Sequence, residues 1–148
     1  MRRAAVTLLA LAALAAGCGG GDEPKDGLHS DAGVMIRDWL GAVEHRDFGR
    51  AASFFARNAL IDQGQPIRLP DAAAARFFNE SLPCYADLIA LRQEGGSKVL
   101  ATFRLRAGPG GPCRGEVRVR YRIEDGKFTE WRQLPTRAPD PAATGPSV

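Results

Sequence analysis

The chain has 148 residues, 45% of them apolar and 25% charged, which suffices for one domain with a single buried core but not for two. Its formal net charge is +3, but Arg2 and Arg3 belong to the N-terminal segment, and without them 18 basic residues face 17 acidic ones. Since this balance gives no electrostatic basis for binding nucleic acid, we predict no nucleic-acid partner.

The N-terminus has the pattern of a secretory signal peptide. Two arginines precede an apolar run over residues 4–16, which is too short to span a bilayer as a permanent helix. The segment LAAGC at 14–18 resembles the lipobox of bacterial lipoproteins. This resemblance implies a signal peptide at 1–17, cleavage before Cys18, and acyl chains such as palmitate that anchor an extracytoplasmic protein to the cell membrane. An ordinary cleaved signal followed by a free cysteine is the alternative.

Two further segments lack the composition of a folded domain. Residues 18–29 are rich in glycine and charge and are predicted to form a flexible tether behind the lipidated cysteine. Residues 136–148 combine Pro, Ala and Thr without periodicity and are predicted to be a disordered tail. The folded domain is therefore predicted at 30–135.

Three helices are predicted in the first half of this domain. The first begins after Asp31, read as its N-cap, and its apolar residues follow the spacing of one helical face. The second covers 47–58 and would bury Phe55 together with Phe48 and two alanines. The third has Asp71 as N-cap and ends before Pro83.

The remaining elements are predicted to be strands. The runs ALIDQ and PIRL form two short ones on either side of a Gly-containing turn. Four longer strands show period-two alternation and turn signals between them, at about 85–94, 98–106, 116–124 and 127–134. Helices followed by an antiparallel sheet predict an α+β architecture, with the helices on one face of the sheet.

The strand at 116–124 alternates regularly. One face is apolar and is expected to lie in the core: Val117, Val119, Tyr121 and Ile123. The other face carries Arg118, Arg120 and Arg122. These arginines are predicted either to pair with acidic residues such as Glu116 and Glu124 in a solvated face, or to form a docking face for anionic lipid, a protein partner or a second copy of the chain.

The other two cysteines, Cys84 and Cys113, form an even pair in an oxidising compartment and are predicted to be disulfide-bonded. A redox or metal role is the alternative, but there is no C-x-x-C spacing. The only histidines are His29 and His45, which leaves a zinc site short of ligands. We predict no metal and no cofactor.

Three segments resemble the SnoaL-like branch of the nuclear transport factor 2-like proteins. They are RDWLGAVEHRDFGRAASFFARNALI, the LPC that follows the third helix, and YRIEDGKFTEWRQLP. The resemblance implies a cone in which three N-terminal helices pack on a curved antiparallel sheet around a pocket. Its members include isomerases, cyclases, dehydratases and hydrolases as well as binding domains, so the fold does not decide the function.

Matching residue by residue argues against steroid-isomerase chemistry. The base of that branch falls on Gln63, which cannot act as one, and its helix-one tyrosine falls on Trp39, which lacks the acidity of a phenol. Asp62 lies one position earlier and in a regular strand would point to the opposite face. It is the candidate general base of a cyclase, isomerase or hydrolase, or else it caps its own turn.

Together, these observations predict a domain that binds a small apolar or amphipathic ligand or a protein partner. The predicted pocket residues join apolar area to a polar atom that can orient a ligand. They are Trp39, Gln63, Tyr85, Tyr121 and Trp131, with Asp62 as the catalytic candidate if the protein is an enzyme.

Overall fold

The structure, a computed structural model, describes residues 27–135. The predicted signal peptide at 1–17, the lipidation site Cys18, most of the predicted tether and the predicted tail at 136–148 lie outside the described residues. Within the described range, no helix has both the length and the apolar character needed to cross a membrane.

The helices come first in the chain and each begins at a side chain that caps it. After a 3-10 turn, Gly27–His29, follow α1 (Asp31–Glu44), α2 (Phe48–Ser53) and α3 (Ala72–Glu80). Asp71 caps α3 as predicted, and Asp47 caps α2. The cap of α1 is Ser30, one residue before the predicted Asp31, because its hydroxyl accepts the backbone N–H of Gly33 at 3.2 Å.

The 3-10 turn lies inside the segment predicted as tether. It packs on the strand Tyr85–Gly95, where Gly27 lies so close that an added Cβ would come within 2.7 Å of the Leu91 carbonyl oxygen. This turn therefore packs against the folded domain, although its residues were assigned to the tether.

The strands form one six-stranded sheet in the order β2-β1-β6-β5-β4-β3. Their bounds are β1 Phe55–Asp62, β2 Pro66–Leu69, β3 Tyr85–Gly95, β4 Lys98–Arg106, β5 Glu116–Glu124 and β6 Lys127–Leu134. The four long strands confirm the period-two prediction. The sheet was predicted to be antiparallel, but it is mixed, because β1 pairs with β6 in parallel.

The prediction for the second helix was wrong at its C-terminal end. The helix stops at Ser53, and residues 55–58, which were assigned to it, begin β1. Phe55 is buried as predicted, but it is placed by pairing with Phe128 of β6. Asn58 has a φ of 60°, and the β1–β6 register shifts between Phe55 and Leu60, so the strand contains an irregularity of the bulge type.

The core is an aromatic cluster centred on Trp39 of α1. Its ring makes edge contacts with three other rings, those of Phe55, Tyr121 and Phe128, at centroid distances of 6.1, 6.3 and 5.9 Å. Phe78 of α3 joins through Phe55 at 5.6 Å. The cluster fixes the helices to the inner face of β5 and β6.

Cys84 and Cys113 form the predicted disulfide bond. It joins the segment that leads into β3 to the long β4–β5 loop. Gly110 of that loop donates its backbone N–H to the Pro83 carbonyl oxygen at 2.8 Å, so the loop lies directly on the 83–85 segment.

On the outer face of the sheet, Arg104, Arg120 and Arg122 make ion pairs, whereas the exposed Arg118 makes none with the described residues. The two predicted acceptors are used, since Glu116 lies 3.9 Å from Arg104 and Glu124 lies 3.9 Å from Arg122. Arg120 has an acceptor that the alternation does not indicate, Glu94 of β3, at 2.5 Å. The hydrogen bond from Arg120 holds the pKa of Glu94 below its usual value. These pairs favour the solvated-face interpretation over a docking face for anions.

Candidate functional site

A cavity of about 210 Å³ lies between α1, the segment at 82–86 and the inner face of β4, β5 and β6. The residues that line it are Trp39, Leu40, Val43, Glu44, Gln63, Leu82, Pro83, Cys84, Tyr85, Ala86, Phe103, Leu105, Val117, Val119, Tyr121, Trp131 and Gln133. Most of these side chains are apolar or aromatic, as is usual for a small-molecule site.

Sheet register arranges the floor of the cavity in cross-strand rows. Trp131 of β6 lies directly opposite Tyr121 of β5, and Gln133 lies opposite Val119. Trp131, Tyr121 and Val119 are buried, whereas Gln133 is half-buried. The first row is therefore the deep end, and the second leads toward the mouth.

Two polar atoms at the deep end are left without a partner. The hydroxyl of Tyr121 and the indole N–H of Trp131 each expose less than 1 Å², and neither makes a hydrogen bond of good geometry with the described residues. A buried polar group without a partner costs about 1–3 kcal/mol. Such groups in a cavity are candidates for contact with a ligand.

The hydroxyl of Tyr121 is a permanent donor at neutral pH. Burial raises the pKa of Tyr121 well above its ordinary value, because the phenolate would lose its hydration. The neighbouring indole N–H of Trp131 opposes this rise in the pKa, which places the two groups close together even though they do not form a well-aligned hydrogen bond.

Trp39 also lines the cavity, but its polar atom is already used. The indole N–H donates to the Asn79 side-chain oxygen at 2.7 Å, and the Asn79 side-chain nitrogen donates to the Ala75 carbonyl oxygen at 2.7 Å. Trp39 can therefore offer a ligand its ring surface only. This differs from the sequence-based expectation that its N–H would orient a ligand.

Asp62 does not line the cavity, which corrects its expected place as a base within it. One carboxylate oxygen accepts the backbone N–H of Gly64 at 3.0 Å, and the other accepts from Arg132 at 2.6 Å. This is the turn-capping alternative, with an ion pair on the outer face added to it. Strand alternation explains the difference, since Gln63, the next residue, lies on the cavity side.

The five predicted pocket residues are brought together around this one cavity. Gln63 and Tyr85 lie near its mouth, where Gln63 is exposed and Tyr85 half-buried, while the three other aromatic residues lie deeper. Their role in binding a ligand stays a prediction.

Sequence reasoning missed two polar residues at the mouth, Gln133 and Glu44. Gln133 continues the period-two spacing from Trp131, and Glu44 lies one helical turn after Leu40, so both periodicities could have indicated them. Glu44 accepts from Arg106 at 3.0 Å, and Arg106 also donates to Asp87 at 2.9 Å. These two hydrogen bonds raise the pKa of Arg106.

The described lining supplies ring surface, amides and hydrogen-bond donors. Its one charged side chain within residues 27–135 is Glu44, at the mouth. Nowhere in that range are three or more His, Cys, Asp or Glu side chains grouped so that they could hold a metal ion. The arrangement can enclose a small, mainly apolar molecule and offer hydrogen-bonding groups to polar atoms at its ends.

Comparison with known proteins yields structural relatives only. No family model and no curated protein matches the sequence. A nuclear transport factor 2-like protein of unknown function from Cytophaga hutchinsonii superposes with a TM-score of 0.55 at 12% identity, covering 68% of this chain and 85% of that one.

Two other similar structures carry activity names. A candidate polyketide cyclase from Sinorhizobium meliloti has a TM-score of 0.54 at 16% identity, with 68% of this chain and 94% of that one covered. A candidate ketosteroid isomerase from Kribbella flavida has a TM-score of 0.54 at 16% identity, with 78% and 87% covered. At these identities the likeness concerns the fold alone, and the chain has the expected α+β nuclear transport factor 2-like fold.

Proposed function

We propose that this protein is a membrane-anchored extracytoplasmic lipoprotein whose nuclear transport factor 2-like domain binds a small, mainly apolar ligand in the cavity beside Trp131. The observation that carries the proposal is the cavity itself, which is enclosed by apolar and aromatic side chains at its deep end and bordered by polar ones at its mouth. Such a division suits an amphipathic or apolar molecule.

The volume limits the size of the ligand. An apolar protein cavity of about 150 Å³ can hold benzene. The present cavity of about 210 Å³ is therefore suited to a molecule of one or two small rings or a short branched chain, and is below the about 300–1,000 Å³ usual for drug-sized ligands.

Binding can be tested with indane, a bicyclic hydrocarbon without polar atoms. Trp39 and Trp131 are the only tryptophans of the chain and both line the cavity, so intrinsic fluorescence should report occupancy. We expect Val117→Phe to weaken indane binding by about tenfold or more, because the added ring occupies the cavity that Val117 lines. The free energy of unfolding of Val117→Phe should differ little from that of the unchanged protein, since the added ring extends into the cavity.

The matched control is Val34→Phe, the same change on the exposed side of α1, where Val34 is 45% exposed and lies outside the lining. It should bind indane as the unchanged protein does. Indane affinity that is equal in all three proteins would contradict the cavity as the binding site. Native mass spectrometry of protein from an oxidising periplasm would identify a ligand retained from the cell.

Membrane anchoring is tested separately at Cys18. We expect the unchanged chain to sediment with bacterial membranes and to incorporate a palmitate analogue, whereas Cys18→Ser should be soluble and unlabelled because its acyl chains are lost. Cys113→Ser is the control, since it changes another cysteine and should keep the label. Labelling of Cys18→Ser equal to that of the unchanged chain would contradict the proposed anchor.

A further inference from the structure

The deep end of the cavity contains polar groups that can select one chemical class among apolar ligands. The cross-strand neighbours Tyr121 and Trp131 are 0% and 5% exposed, and both line the cavity. Their hydroxyl and indole N–H make no well-aligned hydrogen bond with any described residue. These two residues therefore bring two donors without a well-aligned partner to the cavity floor, just beneath its accessible surface.

The kind of ligand atom that satisfies these donors follows from their chemistry. An indole N–H can only donate, and a tyrosine hydroxyl that accepts from it still has its own proton to donate. In either arrangement the missing partner is a hydrogen-bond acceptor. Trp39 does not compete for it, because its N–H is bonded to Asn79.

The acceptor is expected to be uncharged. Among the described residues that line the cavity there is no Lys, Arg or His, and the one charged side chain is the carboxylate of Glu44 at the mouth. A ligand carboxylate at the deep end would lose its hydration without meeting a cation, which is costly. A ketone, aldehyde, ester or amide oxygen meets the donors at much lower cost.

We propose that the cavity is specific for a small neutral carbonyl compound whose oxygen accepts hydrogen bonds at its deep end from the Tyr121 hydroxyl and the Trp131 indole N–H. The inference rests on the proposed binding function and narrows its ligand class. Because each donor exposes less than 1 Å², binding requires the floor to open slightly so that the oxygen reaches them.

The test compares three probes of similar shape: 1-indanone, which has a carbonyl, indane, which has none, and indane-1-carboxylate, which is anionic. The unchanged protein should bind 1-indanone about fivefold to tenfold more tightly than indane, as one or two net hydrogen bonds would give, and the carboxylate most weakly. Tyr121→Phe removes one oxygen and should reduce the ratio of 1-indanone affinity to indane affinity, both measured on the variant, to about twofold.

Tyr121→Phe is also expected to fold with an equal or higher denaturant midpoint, because it deletes a buried hydroxyl without a partner. A second measurement does not depend on any variant. In the ¹⁵N spectrum of the unchanged protein, 1-indanone should move the indole N–H signal of Trp131 downfield, while that of Trp39 stays in place because it is already bonded.

The outcomes separate this inference from the proposed function. Equal affinity for indane and 1-indanone, with no selective shift of the Trp131 signal, would overturn the carbonyl preference and leave binding of apolar ligands intact. Tighter binding of the carboxylate than of the ketone would overturn the neutral-ligand argument. Failure of all three probes to bind would overturn both proposals.

Discussion

Removing the Cys84–Cys113 disulfide is expected to lower the free energy of unfolding by about 3–4 kcal/mol. The cysteines are 29 residues apart, and in the chain-entropy account the bond removes the freedom of a loop of this length from the unfolded chain. Small domains have about 5–15 kcal/mol of stability in total. The loss should therefore lower the melting temperature by about 10–20 °C for a domain of this size.

The bond should also affect the cavity, because Pro83 and Cys84 form part of its wall. The β4–β5 loop lies tightly on this wall, and a side chain at Gly108 would place its Cβ 2.8 Å from the Pro83 carbonyl oxygen. Without the disulfide, the loop is held by backbone hydrogen bonds such as that of Gly110 to Pro83. We therefore expect the protein without the disulfide to bind indane more weakly than the oxidised protein does.

The measurement is chemical unfolding of the oxidised protein, the reduced protein and the Cys84→Ala/Cys113→Ala variant, all with Cys18→Ser so that no other thiol is present. The reduced protein and the variant should unfold at the same, lower denaturant concentration. Reductant should not affect the variant, which serves as the control. An oxidised protein that is less than about 1 kcal/mol more stable than the variant would contradict the expected contribution.

The strands were predictable because their information is local. Alternation of apolar and polar residues places Val119 and Tyr121 inside and Arg120 outside without any knowledge of partners. The same rule indicates that Gln63 and Asp62 lie on opposite sides, which the structure confirms.

The predictions failed where the local structure or an ion pair depends on residues that are distant in sequence. The segment after Ser53 has residues that suit a helix as well as a strand, and parallel pairing of Phe55 with Phe128, over 70 residues later, resolves the choice. No sequence pattern near β1 predicts that pairing. The partner of Arg120 was missed for the same reason, because Glu94 lies two strands away along the sheet.

Five lining residues of the candidate site were predicted from the sequence, but Gln133 and Glu44 were missed, and the hydrogen-bonding state of the polar atoms was not predictable. Trp39 and Trp131 could both be assigned to the pocket because each combines a large apolar ring with a polar N–H. Only tertiary structure shows that the N–H of Trp39 is bonded to Asn79 and that of Trp131 is not. Hydrogen-bond satisfaction depends on ångström-scale geometry across elements, which a pattern of residue types does not contain.

Replacing Trp39 is expected to have the largest effect of any single change in the core. Trp39→Ala removes a ring that is 3% exposed and contacts three other rings, which should cost about 3–5 kcal/mol. It also leaves the Asn79 side-chain oxygen buried without its donor, which adds about 1–3 kcal/mol. For a domain of ordinary stability, the sum approaches complete unfolding.

The hydrogen bond can be separated from the packing with smaller changes. Trp39→Phe keeps an aromatic ring but leaves Asn79 unpaired, and Asn79→Leu keeps similar volume but leaves the indole N–H unpaired. Each single variant should therefore lose about 2–3 kcal/mol of unfolding free energy. The double variant should lose less than the sum by about 1–2 kcal/mol, because it leaves neither of these two groups unpaired.

Asn79 makes this cycle informative, because it is the one buried non-aromatic polar side chain among the described residues and joins α3 to α1 through Trp39. Its other hydrogen bond, to the Ala75 carbonyl oxygen, stays within α3 and should be lost equally in both variants that carry the Asn79→Leu change. Urea unfolding of the four proteins gives the coupling directly. Strictly additive losses would mean that the Trp39–Asn79 bond contributes nothing of its own, and that ring packing alone holds α1 on the sheet.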